Sequence, residues 1–161
     1  GGLLRIGEAM APPLIQRVKA AAPAAEVHII DAPPGTSCPV IEAMDGADYV
    51  LLVAEPTAFG LHDLSLTVQL MRKLNLPFGV VINREGMGDG RVSDYLHQEG
   101  VDILAGLPHT KEAATAYSKG QLLVEAFPEF KEKFSTLWEA ISSEAAGATD
   151  ARVHSMQGAQ S

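Results

Sequence analysis

Apolar residues along this chain follow two alternating patterns. Compact runs rich in Val, Ile and Leu lie at residues 3–6, 27–30, 49–54, 78–82 and 101–107. Runs of this kind, bounded by turn residues, predict strands buried on both faces of a parallel sheet. Between them the apolar positions recur three or four residues apart, which predicts helices. Residues 61–74 carry Leu64, Val68 and Met71 on one face, with Asp63 near the positive end of the helix dipole. Pro12 and Pro13 open a helix running to about residue 21, because proline suits the first helical turn. Residues 39–44 form a short helix ended by Asp45-Gly46, residues 91–99 a polar helix stopped by Gly100, and residues 111–118 a helix ended by Gly120. Pro128 starts a last helix carrying Phe130, Phe134, Leu137, Trp138 and Ile141, a stripe that reads as core packing rather than a cofactor box. From Gly147 the chain is rich in Ala, Gly, Ser and Gln without a period, so residues 1–146 are expected to form one folded domain and 147–161 a flexible tail. Strands alternating with helices predict an α/β fold, a parallel sheet with right-handed crossovers.

Size and charge narrow the function classes. The chain has 161 residues, 47% apolar and 20% charged, which fits one soluble globular domain. A net charge of −8 without a Lys/Arg cluster argues against nucleic-acid binding. No apolar run approaches the roughly 20 residues of a membrane span. The lone Cys38 excludes an internal disulfide and any all-cysteine metal or iron–sulfur site built from this chain alone. No signal peptide is visible, and a cytoplasmic setting is expected. The opening Gly1-Gly2, with no initiator Met, fits a fragment or a processed chain.

Four segments follow predicted strand ends, and such ends line one edge of a parallel sheet, where ligands bind. The first is Asp31-Ala32-Pro33-Pro34-Gly35-Thr36. A carboxylate there can hold Mg²⁺ directly or through water, and Gly35 lets the backbone pass close to a phosphate. The plainer alternative is a Pro-Gly turn with Asp31 capping the next helix. The others are Glu55-Pro56-Thr57, Asn83-Arg84-Glu85-Gly86 and Pro108-His109-Thr110. Asn83 can donate to and accept from the edge of a purine base, or bond its own backbone. Arg84 can stack on the same ring or support the loop.

Other motifs are missing or weak. No G-x-x-x-x-G-K-[ST] phosphate loop occurs. Gly86-Met87-Gly88-Asp89-Gly90 lacks the lysine and hydroxyl of one and reads as a flexible turn. His28 reads as an interior or edge strand residue, and none of the five histidines has metal-ligand spacing. Cys38, near a helix start, is either a low-pKa thiol or a small packed residue, the second reading being favoured. No G-x-S-x-G supports a serine hydrolase.

The run from Asp31 to Val40 resembles the Walker B and switch II segment of MinD-superfamily P-loop ATPases, within the branch carrying an inserted ferredoxin domain. The segments Ile6 to Ile15, Glu55 to Asp63 and Phe78 to Arg84 resemble the same branch, and the likeness runs from about Leu3 to Ser143. It implies a Rossmann-like P-loop NTPase fold, a parallel sheet flanked by helices. It implies ATP or ADP and Mg²⁺ as ligands of the full-length protein, with Asp31 supporting Mg²⁺ and Pro33, Pro34 and Gly35 sensing the γ-phosphate. Asn83 would recognise adenine with Arg84 beside it, and Pro108 would pack near the base. It further implies ATP-driven homodimerisation and an iron–sulfur or redox client protein.

The departures set a limit. In that family the Walker A loop and the cysteine-rich insert lie upstream of these segments, and this chain has neither. The sheet is therefore expected to be incomplete, lacking the first strand and P-loop, and any iron–sulfur cluster to belong to the upstream insert. Alone, the chain is expected to bind ATP weakly and hydrolyse it negligibly. The alternative is a complete, non-catalytic α/β module that binds a partner or regulates one.

Overall fold

The computed structural model describes residues 11–158. The chain divides into two compact units, the first ending at Ala47 and the second beginning at Asp48.

The first unit contains helices α1 (Ala11–Ala20) and α2 (Cys38–Met44). Pro39 lies in the first turn of α2, where its missing N–H costs nothing. The ammonium of Lys19, near the end of α1, donates to the carbonyls of Glu42 (3.1 Å) and Asp45 at the end of α2. A cation there satisfies carbonyls that the helix leaves open and complements its dipole. Val40, Ala43 and Met44 are buried.

Residues 27–30 do not form the expected strand. They run without regular structure, and Ile29 is 87% exposed. A strand persists when a neighbour takes up its N–H and C=O groups. Among the described residues, no strand pairs with this one. His28 is exposed rather than interior, its Nε2 bonded to the Pro23 carbonyl at 2.9 Å. The strand expected at residues 3–6 lies outside the described residues.

The second unit is built on three parallel strands in the order β1-β2-β3: β1 (Val50–Ala54), β2 (Phe78–Glu85) and β3 (Ile103–Pro108). β2 is central, and its residues Gly79, Val80, Val81 and Ile82 are all buried, as a strand covered on both faces requires. Register pairs Ala54 with Ile82 and Asn83 with Leu107. Helix α3 (Ala58–Leu74) joins β1 to β2, and α4 (Arg91–Gln98) joins β2 to β3. α3 buries Leu64, Val68 and Met71, the stripe read from the sequence. It ends where Asn75 turns left-handed (φ 52°). The Arg72 guanidinium reaches the Glu99 carboxylate; both side chains are substantially exposed, so the pair adds at most about 1 kcal/mol.

Three more helices follow: α5 (Lys111–Ser118), α6 (Leu123–Ala126) and α7 (Pro128–Gly158). α6 has no counterpart in the sequence pattern. Of the apolar stripe on α7, Phe130 and Leu137 are buried, while Trp138 remains 46% exposed. α7 also continues past Gly147, where the apolar period stops. Residues 147–158 contain no proline and several good helix formers, so helix propensity persists where the apolar period has stopped. Among the described residues, no helix is long and apolar enough to cross a membrane.

Candidate functional site

The carboxyl ends of β1, β2 and β3 bring three of the expected segments to one edge of the second unit. β2 extends to Glu85, so Asn83 and Arg84 belong to the strand rather than to the loop after it. Its register against β3 shifts between Asn83 and Glu85. Arg84 sits in that shift with φ 57°, a left-handed conformation. A non-glycine residue pays about 1–2 kcal/mol there. Bulges of this kind re-aim side chains beside sites.

Two contacts offset the strain. The Asn83 Oδ1 accepts the Arg84 backbone N–H at 3.0 Å. The Arg84 Nε lies 3.5 Å from the Glu55 carboxylate at the end of β1. An exposed ion pair contributes about 0.2–1 kcal/mol, and a hydrogen bond about 0.5–1.5 kcal/mol. Together they are of the same order as the strain. Because an N–H must meet an oxygen, the first contact also fixes which way the Asn83 amide points. Its NH₂ group has no partner among the described residues. The self-bonded Asn83 weighed from the sequence is thus realised for its oxygen, while its nitrogen stays available.

Loop contacts hold Glu55 in place. Its carbonyl accepts the Thr57 N–H at 2.8 Å, and the Thr57 Oγ1 accepts the Gly60 N–H at 2.9 Å to cap α3. A Cβ on Gly60 would collide with the Glu55 carbonyl, and one on Gly88 with the Pro56 carbonyl. Gly88 therefore presses the loop after β2 directly on the loop after β1. Asp89 in that loop accepts from the backbone N–H and the side chain of Arg91, at 3.3 and 2.6 Å. The backbone N–H of Arg91 is the main cause holding the Asp89 carboxyl below its ordinary range. The Asp89 carboxylate takes up a backbone N–H at the start of α4, and residues 86–90 form a turn. At the end of β3, Pro108 is half-buried and Thr110 caps α5 by accepting the Ala113 N–H at 3.1 Å.

Asp31, Pro33, Pro34 and Gly35 belong to the first unit and are all exposed. Gly35 is left-handed (φ 89°), so the Pro-Pro-Gly turn needs glycine at that place. Asp31 does not cap the next helix, whose N-cap is Ser37. Cys38 is exposed, which removes its reading as a packed residue. Among the described residues, no three His, Cys, Asp or Glu side chains gather as a metal cage. Mg²⁺ needs none: one carboxylate suffices when waters and phosphate oxygens complete its shell, and the free Asp31 carboxylate suits that donor set.

Two grooves, of about 320 and 370 Å³, lie elsewhere, one lined by Lys111 of α5 and Lys119 just after it and the other by Leu104, Glu129 and Lys133. Neither includes Asn83, Arg84 or Pro108. The sequence reading did not single out Glu55 as Arg84's partner. Its only signal was its place just after a strand end.

No family model matches the chain. Over 96 residues it is 34% identical to the uncharacterized protein MJ0579 of Methanocaldococcus jannaschii, covering 60% of this chain and 32% of the relative. Over 90 residues it is 32% identical to the uncharacterized protein MJ0578 of the same organism, covering 55% of this chain and 33% of the relative. The chain thus spans about a third of the length of these curated relatives. Among solved structures it is similar to the MinD cell division protein of Aquifex aeolicus, with a TM-score of 0.62 and 18% identity over 82% of this chain and 59% of that one. It is also similar to the Pyrococcus furiosus cell division ATPase MinD, with a TM-score of 0.57 and 23% identity over 87% of this chain and 56% of that one. The chain has the fold of the MinD-like P-loop ATPase superfamily, a parallel sheet flanked by helices.

Proposed function

We propose that this chain supplies the metal- and base-contacting part of a Mg²⁺-dependent ATPase. The observation that carries the reading is the carboxyl edge of the sheet. There Asn83 stands with its amide oxygen bonded and its NH₂ unpartnered among the described residues, on a MinD-like fold. An NH₂ held in that way donates to a ring nitrogen of adenine. Arg84 would stand beside the base and Pro108 would pack near it. Asp31 would hold Mg²⁺, which when bound neutralises charge on the phosphates. Gly35 would offer its backbone to the γ-phosphate, and Pro33 and Pro34 would stiffen that switch.

A lysine for the β- and γ-phosphates does not come from these residues, since no phosphate loop occurs in them. It is expected from the remainder of a longer polypeptide, in keeping with the third of its relatives' length that this chain spans. Homodimerisation, a cytoplasmic setting and an iron–sulfur or redox client are supported by the resemblance of the motifs alone. Cys38 is the only cysteine, so a cluster would be ligated by other residues.

The test is Mg²⁺-dependent ATP hydrolysis by the full-length polypeptide. Asp31→Ala is expected to abolish it, and normal turnover in that variant defeats the Mg²⁺ role. The missing phosphate loop also favours a second reading, a non-catalytic partner-binding module. An intact native mass near 17 kDa supports that module. A much larger mass, with upstream peptides bearing a lysine-containing glycine loop, supports the ATPase.

A further inference from the structure

We propose that Glu55 is a positioning residue for nucleobase selection, acting on Asn83 through Arg84. The inference rests on the reading of Asn83 as the base-contacting group and goes one step behind it. Three connected contacts carry it. Glu55 is fixed by its own turn, with its carbonyl bonded to the Thr57 N–H and Gly60 closed against it. Its carboxylate lies 3.5 Å from the Arg84 guanidinium, across the ends of two neighbouring strands. Arg84 holds a left-handed backbone at the register shift, and its N–H meets the Asn83 Oδ1 at 3.0 Å.

With the chain held on either side, φ at Arg84 and ψ at Asn83 turn together, and the pair decides where the N–H between them points. That N–H decides which way the Asn83 amide faces. A bulge free to relax would let Arg84 fall back to a negative φ, withdraw the N–H and release the amide to rotate. A rotated amide offers oxygen where it now offers NH₂. Oxygen accepts where adenine also accepts, so the preference for adenine falls. The Glu55 carboxylate restrains that relaxation from the neighbouring strand. Its effect is on the choice of base and not on the phosphates.

Fluorescent N-methylanthraniloyl ADP and GDP, labelled on the ribose, are titrated with Mg²⁺ into the full-length polypeptide. Inorganic tripolyphosphate serves as the competitor that has no base. Glu55→Gln is expected to lower the adenine-over-guanine preference about two- to fivefold, the range an exposed ion pair supplies. Tripolyphosphate affinity is expected to stay unchanged. Glu55→Asp, which keeps the carboxylate beside Arg84, is expected to hold the preference closer to the parent than Glu55→Gln does, and the split between base preference and tripolyphosphate affinity is a readout that a general loss of structure would not give. The proposal is overturned if Glu55→Gln leaves base preference intact, weakens both bases equally, or weakens tripolyphosphate, or if Glu55→Asp loses as much preference as Glu55→Gln. Asn83→Ala separates the two levels. If it leaves base preference unchanged, the reading of Asn83 fails; if it abolishes the preference while Glu55→Gln does not alter it, only the role of Glu55 fails.

Discussion

At the residue scale, buried contact changes chemistry most clearly at Tyr49, at the entry to β1. Its hydroxyl lies over Gly79 of the central strand, where a Cβ would meet it at 2.5 Å. Burial, then the charges of Glu144 and Asp102, push the phenol up to about 12. The unfolded chain ionises the same group near 10, so it releases its proton first as pH rises. The stabilisation from keeping Tyr49 neutral is complete below pH 10 and is lost between about 10 and 12. Tyr49→Phe should therefore lose less stability than the parent chain over that window and match its slope below it. Denaturant midpoints measured from pH 8 to 11.5 check this, and identical slopes at high pH would refute it. Residues of this kind also show where the sequence was readable. Asp31, Asn83 and Pro108 were singled out as candidates because each follows a strand-like run. Glu55 was not singled out as a partner, because an ion pair between two strand ends depends on register, which local sequence does not encode.

At the element scale, the helices were legible wherever an apolar period met a packed face. Leu64, Val68 and Met71 of α3 were read as one stripe, and all three are buried against the sheet side of the helix. Met71 has no exposed surface. Met71→Ala should cost about 2–5 kcal/mol, the usual penalty of an unfilled core site. Chemical denaturation followed by circular dichroism measures it; a loss under 1 kcal/mol would mean that the core around α3 closes the gap. The readings that missed share one cause. The run at 27–30 has strand composition, yet strand structure needs a hydrogen-bonding neighbour, which composition does not supply. The end of α7 has no apolar period, yet it stays helical, as its good helix formers and lack of proline favour. Pattern reports burial well and pairing poorly, so the sheet's central strand was clear and its extent was not.

At the scale of the whole molecule, that unpaired run has a physical consequence. Residues 21–38 link α1 to α2 without regular structure, apart from the first residue of α2, and residues 21–37 are exposed throughout. Among them Val27, Ile29 and Ile30 are 48%, 87% and 43% exposed, although β-branched apolar residues are usually drawn inside. The second unit presents a different picture, with β2 buried, Asn75 closing α3 and the Arg72–Glu99 pair joining the ends of α3 and α4. Its exposed apolar loop residues include Met87 and Leu122, each at 60%, but Gly88 beside Met87 is pressed against Pro56, and the Leu122 carbonyl accepts the Glu125 and Ala126 N–H groups at the start of α6. A protease needs several residues of backbone free to enter its cleft, and exposed irregular segments yield first. Thermolysin, which cuts before apolar residues, should therefore cleave the 161-residue chain first before Val27, Ile29 or Ile30. The product should keep residues 48–161 intact, as read by mass spectrometry of the earliest fragments. A first cut before Met87 would instead place the least protected backbone at the carboxyl edge of the sheet. Addition of Mg²⁺ and ADP to the full-length polypeptide should then protect that edge if Asn83 contacts the base.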